Sequence, residues 1–373
     1  MRRRALVLVG LVLAAPAPAG TIGPAEGRIA ARVDAAIAAA AVAPGAAAPG
    51  TVPELVAALR EQEAALVALS ASVWAGGEKE RALAEALDAD RGGMQRLLAT
   101  LEAMSLAGQA GPAPHPGGPL AAARAERLLD WMKPALEAEA KRLAARLAEI
   151  EAARAQEEAG LAEVGEGLDR LARGRAALVA ALAPAHEADP EATAPIGLAA
   201  RDAPPGFARE AETLSALAAR VAGPAAASSD PLALRWPVVG SLRSEFEAKD
   251  SAGVRRPGLV VEAAPLSLVV APADGVVLYA GPFLEYGYVV VIEARPDVQV
   301  VLAGLATLET KAGERVQAGQ LLGFLGGRQL DAQEYLMLAG AGNGATGAET
   351  LYIELRHGKG PVDPAPWFAG GNG

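Results

Sequence analysis

The 373-residue chain has no cysteine, three histidines and only 4% aromatic residues. Without cysteine it has no disulfide framework, no thiolate metal site and no attachment point for a lipoprotein anchor. His115, His186 and His357 are its whole supply of imidazole, which leaves few ways to build a histidine metal centre. Hydrophobic residues make up 52% of the chain, and with so few aromatics much of that share is alanine, which suits long helices better than a large globular core. Acidic residues outnumber basic ones to give a net charge of −10, which argues against general nucleic-acid binding. Beyond the N-terminus no apolar run is long enough to span a bilayer.

What is present falls into four stretches. Residues 1–19 read as a secretory signal peptide, with Arg2–Arg4 as the basic start, Ala5–Ala15 as the apolar core and Ala17-Pro18-Ala19 as the cleavage site. The expectation is a cleaved, exported, periplasmic protein. Residues 20–182 read as helical. Gly27–Val42 forms an alanine-rich helix, and Pro44–Pro53 breaks it. Leu55, Leu59, Gln62, Leu66, Leu69 and Val73 then step by four and three, and the register runs on to Met104. Gly76-Gly77 and Gly92-Gly93 weaken it as joints or breaks. After a Gly/Pro-rich loop over 105–119, a second heptad runs from Leu136 through Leu143, Ile150, Leu161, Leu168 and Leu178 to Leu182. Arg154, Glu157 and Arg175 interrupt it, either fixing register or snorkelling at its edge. Two segments of nearly equal length joined by a loop predict a long antiparallel coiled-coil hairpin, roughly 70–75 Å per arm.

Residues 183–233 are a Pro-rich linker. Within them, 206–222 reads as a short amphipathic helix with Phe207, Leu214, Leu217 and Val221 on one face. That face packs either on the helical hairpin or on the domain that follows, as an inhibitory arm. Residues 234–370 change period. Leu266–Val270, Val276–Ala280, Tyr288–Glu293, Val298–Leu302, Leu321–Leu325 and Leu351–Leu355 are short β-rich runs separated by turn residues such as Asp274-Gly275. The fold class expected is multidomain α + β, helical first and all-β last. Alternation along the last run sends Thr350, Tyr352, Glu354 and Arg356 to one face and Leu351, Ile353 and Leu355 to the core. The stretch 326–349 is long and glycine-rich, with an apolar insert at Tyr335–Leu338 that rims a groove or is disordered. His357, just past the last strand, reads as a solvated turn residue.

The order of Trp236-Pro237-Val238, Ala271-Pro272-Ala273-Asp274-Gly275, Tyr286-Gly287-Tyr288, Gly313-Glu314-Arg315-Val316 and Leu351-Tyr352-Ile353-Glu354-Leu355-Arg356 resembles the LytM, or lysostaphin-like, metallopeptidase domain. Active members hold zinc with a His-x-x-x-Asp pair and a His-x-His, assisted by a Tyr-Ala-His segment. Here those positions carry Arg256 and Val260, Thr350-Leu351-Tyr352, and Leu302-Ala303-Gly304. The side chains lack the imidazole and carboxylate donors that zinc requires. Scaffold without ligands resembles the degenerate domains of EnvC-like murein hydrolase activators. That resemblance implies a non-enzymatic protein with no cofactor. It also implies as partner an N-acetylmuramoyl-L-alanine amidase, switched on during cell division and bound in the former active-site groove. The groove expected from family position and strand alternation is lined by Tyr352, Arg356, Tyr286, Arg256, Leu302, Phe283 and Glu354. The same resemblance implies docking of the helical hairpin on the FtsE–FtsX division complex. Two alternatives stand beside it: a scaffold that holds peptidoglycan itself, and an active zinc endopeptidase.

Overall fold

A computed structural model describes residues 24–42, 50–89, 119–186, 232–249, 255–284, 286–340, 347–358 and 360–368, with a few positions between 92 and 99. The signal peptide and the linker helix expected at 206–222 lie outside the described residues. Three helices come first: α1 (Pro24–Val42), α2 (Thr51–Ala89) and α3 (Pro119–His186). Helix α2 runs unbroken through Gly76-Gly77, so the joint or break expected there does not form. None of the described helices is long and apolar enough to cross a membrane.

The described residues fall into two compact units, divided at Lys79/Glu80 and at Ala159/Gly160. In the first, Leu143 and Ile150 are buried while Leu147 is 48% exposed. There Arg154 donates to Glu80 at 2.8 Å from a largely exposed position, the behaviour of an edge residue.

In the second unit α2 and α3 run antiparallel at close range. Cβ atoms added at Gly160, Gly167 and Gly174 would lie 2.4, 2.6 and 2.2 Å from Val73, Leu66 and Leu59 side chains. Over residues 160–174 every seventh residue of α3 is a glycine, and each admits one apolar knob from α2. Leu55, Val164, Leu168, Leu171 and Leu178 complete this core, and α1 covers it with Val33 and Ala40.

The β domain of the same unit has ten strands: β1 (Ser241–Ser244), β2 (Leu259–Ala263), β3 (Leu268–Val270), β4 (Gly275–Pro282), β5 (Tyr288–Arg295), β6 (Val298–Leu308), β7 (Arg315–Val316), β8 (Leu321–Leu325), β9 (Glu349–His357) and β10 (Gly360–Val362). The main sheet has the order β1-β2-β9-β6-β5-β4-β7, with antiparallel pairing between neighbours. Strand β8 pairs with β6 and carries β3 outside it. Leu266, expected in a strand, sits in the β2–β3 turn with φ of 62°.

Three apolar layers result. Val269, Leu322 and Leu325 face the main core with Val290, Ile292, Val300, Leu302, Leu351, Ile353 and Leu355. The opposite face of β3–β8, with Leu268, Val270, Leu321 and Phe324, packs on α2 and α3. The far face of the main sheet carries a separate cluster that includes Val260, Val289, Val291, Val301 and Ala303. The core thus lies between the helical base and that far face. Helix α4 (Ala332–Gly340) forms from the insert in 326–349 and buries Tyr335 and Leu336 in the helical cluster, not in the far-face one.

Candidate functional site

The far face of the main sheet is where the ligand positions of the resemblance come together. Val260 on β2 is the direct cross-strand partner of Tyr352 on β9, and Ala303 on β6 flanks Tyr352 from the other side. The Tyr352 ring lies flat over Gly258, where an added Cβ would come within 2.7 Å of the ring. Tyr286, 8% exposed, joins the same cluster, with Phe283 and Tyr279 half-buried at its margin. Phe283 meets Tyr279 edge-on at 6.5 Å.

Along β9 three side chains form one polar ladder. The Tyr352 hydroxyl donates to Glu354 Oε2 at 3.0 Å, and Arg356 Nη1 donates to Glu354 Oε1 at 2.9 Å. Period-two spacing places all three on one face, and Glu354 is wholly buried between its two donors. A carboxylate without solvent needs such charge-assisted bonds to remain there. Burial holds the Tyr352 phenol far above its ordinary range, helped by the Glu354 charge and hydrogen bond and by Tyr286, and opposed by Arg256.

These residues do not fit a zinc ion. Arg256 offers a cation, Val260 offers no donor atom, and Tyr352 keeps its proton and donates it to Glu354. What they form instead is a largely buried floor with aromatic and guanidinium character. Six of the seven residues expected there either join this cluster or act directly on it: Tyr352, Glu354, Arg356, Tyr286, Phe283 and Arg256. Leu302 does not. It is wholly buried in the main core, because β6 alternation turns Val301 and Ala303 to the far face and Leu302 away from it. His357 also departs from expectation. It is half-buried, with Nε2 3.1 Å from Asp297 Oδ2 and its ring 5.6 Å from that of Trp367.

Sequence reasoning missed the polar residues on the opposite side of the domain. Arg60 on α2 donates to the backbone oxygens of Trp236 and Pro237 at 2.8 and 2.9 Å. Glu63 accepts from Arg175 at 3.0 Å and from the Leu268 amide at 3.2 Å. Arg175 is thus a buried partner, with 12% of its side chain exposed, and does not snorkel.

Within the β domain, residues 255–364 match the model of Peptidase family M23. Among individual proteins, the chain is similar to the murein hydrolase activator EnvC of Escherichia coli (strain K12). The two are 29% identical over 134 residues, which cover 36% of this chain and 28% of that protein. An uncharacterized Haemophilus influenzae protein is 29% identical over 132 residues, 35% of this chain and 28% of the relative. The chain therefore matches little more than a quarter of the length of these curated relatives. Solved structures with a similar fold include a putative peptidase M23 from Pseudomonas aeruginosa, 25% identical with a TM-score of 0.31, covering 43% of this chain and 59% of that one. Lysostaphin, 17% identical with a TM-score of 0.30, covers 39% of this chain and 59% of its own.

Proposed function

We propose that the protein is a non-catalytic, exported activator of N-acetylmuramoyl-L-alanine amidases, acting in the periplasm during cell division and daughter-cell separation. The observation that carries this reading is the Tyr352–Glu354–Arg356 ladder, whose Tyr352 stands at a position that the resemblance pairs with a zinc ligand. A site that has exchanged ligands for a hydrogen-bonded, aromatic and guanidinium-bearing floor has the composition of a binding surface. Similarity to a protein named as a murein hydrolase activator supports the same class of function.

In this reading the amidase docks in the groove over Tyr352, Tyr286, Phe283 and Arg256. The helical hairpin docks on the FtsE–FtsX complex. The test is dye release from labelled peptidoglycan by the full chain, by a resting amidase, and by both together. Release only from the mixture is the expected result, and Arg256→Gln should lower it at least about tenfold. Release by the protein alone, abolished by a chelator, would overturn the proposal. Binding to purified sacculi with no effect on amidase would favour a peptidoglycan scaffold instead.

A further inference from the structure

The seam between the helical base and the β3–β8 layer is apolar around its edge and charged at its centre. Leu268, Val270, Leu321 and Phe324 face Leu168, Leu171 and the other helical leucines across it. At the centre lies a cavity of about 20 Å³, lined by Glu63, Val67, Leu171, Arg175, Ser267 and Tyr335 among others. That volume admits one water molecule. Glu63 is 4% exposed. Its Oε1 accepts from both Arg175 and the Leu268 amide. Its Oε2 has no hydrogen-bond partner among the described residues, and neither does Arg175 Nε. Gln329 adds one more bond across the seam, to the Leu168 oxygen at 3.4 Å.

We propose that this seam is a carboxyl latch: the β domain sits tightly on the helical base when Glu63 is protonated and loosens when Glu63 is ionised. The physical reason is desolvation. An ionised carboxylate with one oxygen unsatisfied by the protein, in a cavity with room for a single water molecule, costs more than a neutral one. The charged and titratable groups facing Glu63 are Arg60 on its own helix, Arg175 on α3 and Tyr335 on α4, with only the Leu268 amide from β3. Burial raises the Glu63 carboxyl above its ordinary value and outweighs Arg175, Arg60 and that amide, which all pull it down. Stability from this group is therefore fully present below the unfolded value of about 4.5 and is lost as pH rises through the raised folded value. The latch is separate from the groove, because the main core lies between them, and it does not depend on which partner the groove binds.

Hydrogen exchange on the full chain tests it, following the Leu268 amide between pH 4.5 and pH 8 after correction for intrinsic rates. In the wild type, protection of that amide should fall roughly tenfold for each unit by which the carboxyl is raised. Val300, in the main core, should show no such trend. Glu63→Gln, nearly isosteric and unable to ionise, should keep the amide protected at every pH. Gln329→Ala, which removes a seam contact but no titrating group, should lower protection and keep the pH trend. Identical profiles for wild type and Glu63→Gln would overturn the proposal, as would loss of the trend in Gln329→Ala. So would exchange of Leu268 only together with the core.

Discussion

Strand β9 serves two surfaces with alternate residues. Leu351, Ile353 and Leu355 enter the core, where any well-packed apolar neighbour suffices. Tyr352, Glu354 and Arg356 enter the far face, where each polar atom needs a specific partner. The first set draws its stability from area removed from water and tolerates replacement in kind. The second is an arrangement of two donors around one carboxylate, in which removing one member costs another its hydrogen bond. The difference teaches how one strand can carry two kinds of constraint. An ordinary core-side residue is fixed by volume, whereas the ladder is fixed by the pairing of its polar atoms.

Three substitutions test that contrast. Leu302→Ala on the core side should have the largest effect, about 4 kcal/mol, because a wholly buried leucine leaves a cavity. A denaturant titration with an unchanged slope would measure it. Glu354→Ala should follow at about 3 kcal/mol, since it leaves the Arg356 guanidinium and the Tyr352 hydroxyl without their buried carboxylate. Here Glu354→Gln, which retains one acceptor oxygen but no charge, should restore only part of the loss. If Glu354→Ala were neutral, the ladder would be incidental and the two faces would differ only in polarity. Tyr352→Phe should cost least, about 1.5 kcal/mol, for one charge-assisted bond, while its ring still covers Gly258. Thermal melts of Tyr352→Phe and Tyr352→Ala side by side would separate the hydroxyl from the ring.

Much of this was legible from the chain. Alternation along β9 assigns its two faces correctly, since a period of two leaves no ambiguity once one residue is placed. The error at Leu302 has the same origin. It was placed by position within a borrowed three-residue segment, and a displacement of one residue exchanges the two faces of a strand. Register against β9 makes Ala303 the residue beside Tyr352. Strands β1 and β2 went unread as strands because Ser241–Ser244 is short and polar, and because Leu259–Ala263 was read only for its missing ligands. The apolar insert at Tyr335–Leu338 was visible, but its destination was not, because which surface a short helix covers is a tertiary fact. Glu63 gave no local signal at all. A glutamate beside a heptad position reads as solvated until a second layer closes over it.

One signal was present in the sequence and unread: Gly160, Gly167 and Gly174, spaced by seven. Their three facing knobs, Val73, Leu66 and Leu59, descend by the same interval along α2. The two helices therefore fit together like a toothed rack and its mating bar. A slip of one or two residues would drive a methyl or isobutyl group against a side chain where a notch had been. The next matching alignment lies a full heptad away, roughly 10.5 Å along the axis. Length along this part of the hairpin is thus quantised. Any mechanical signal passing through it is transmitted without creep, or in a jump of one whole tooth.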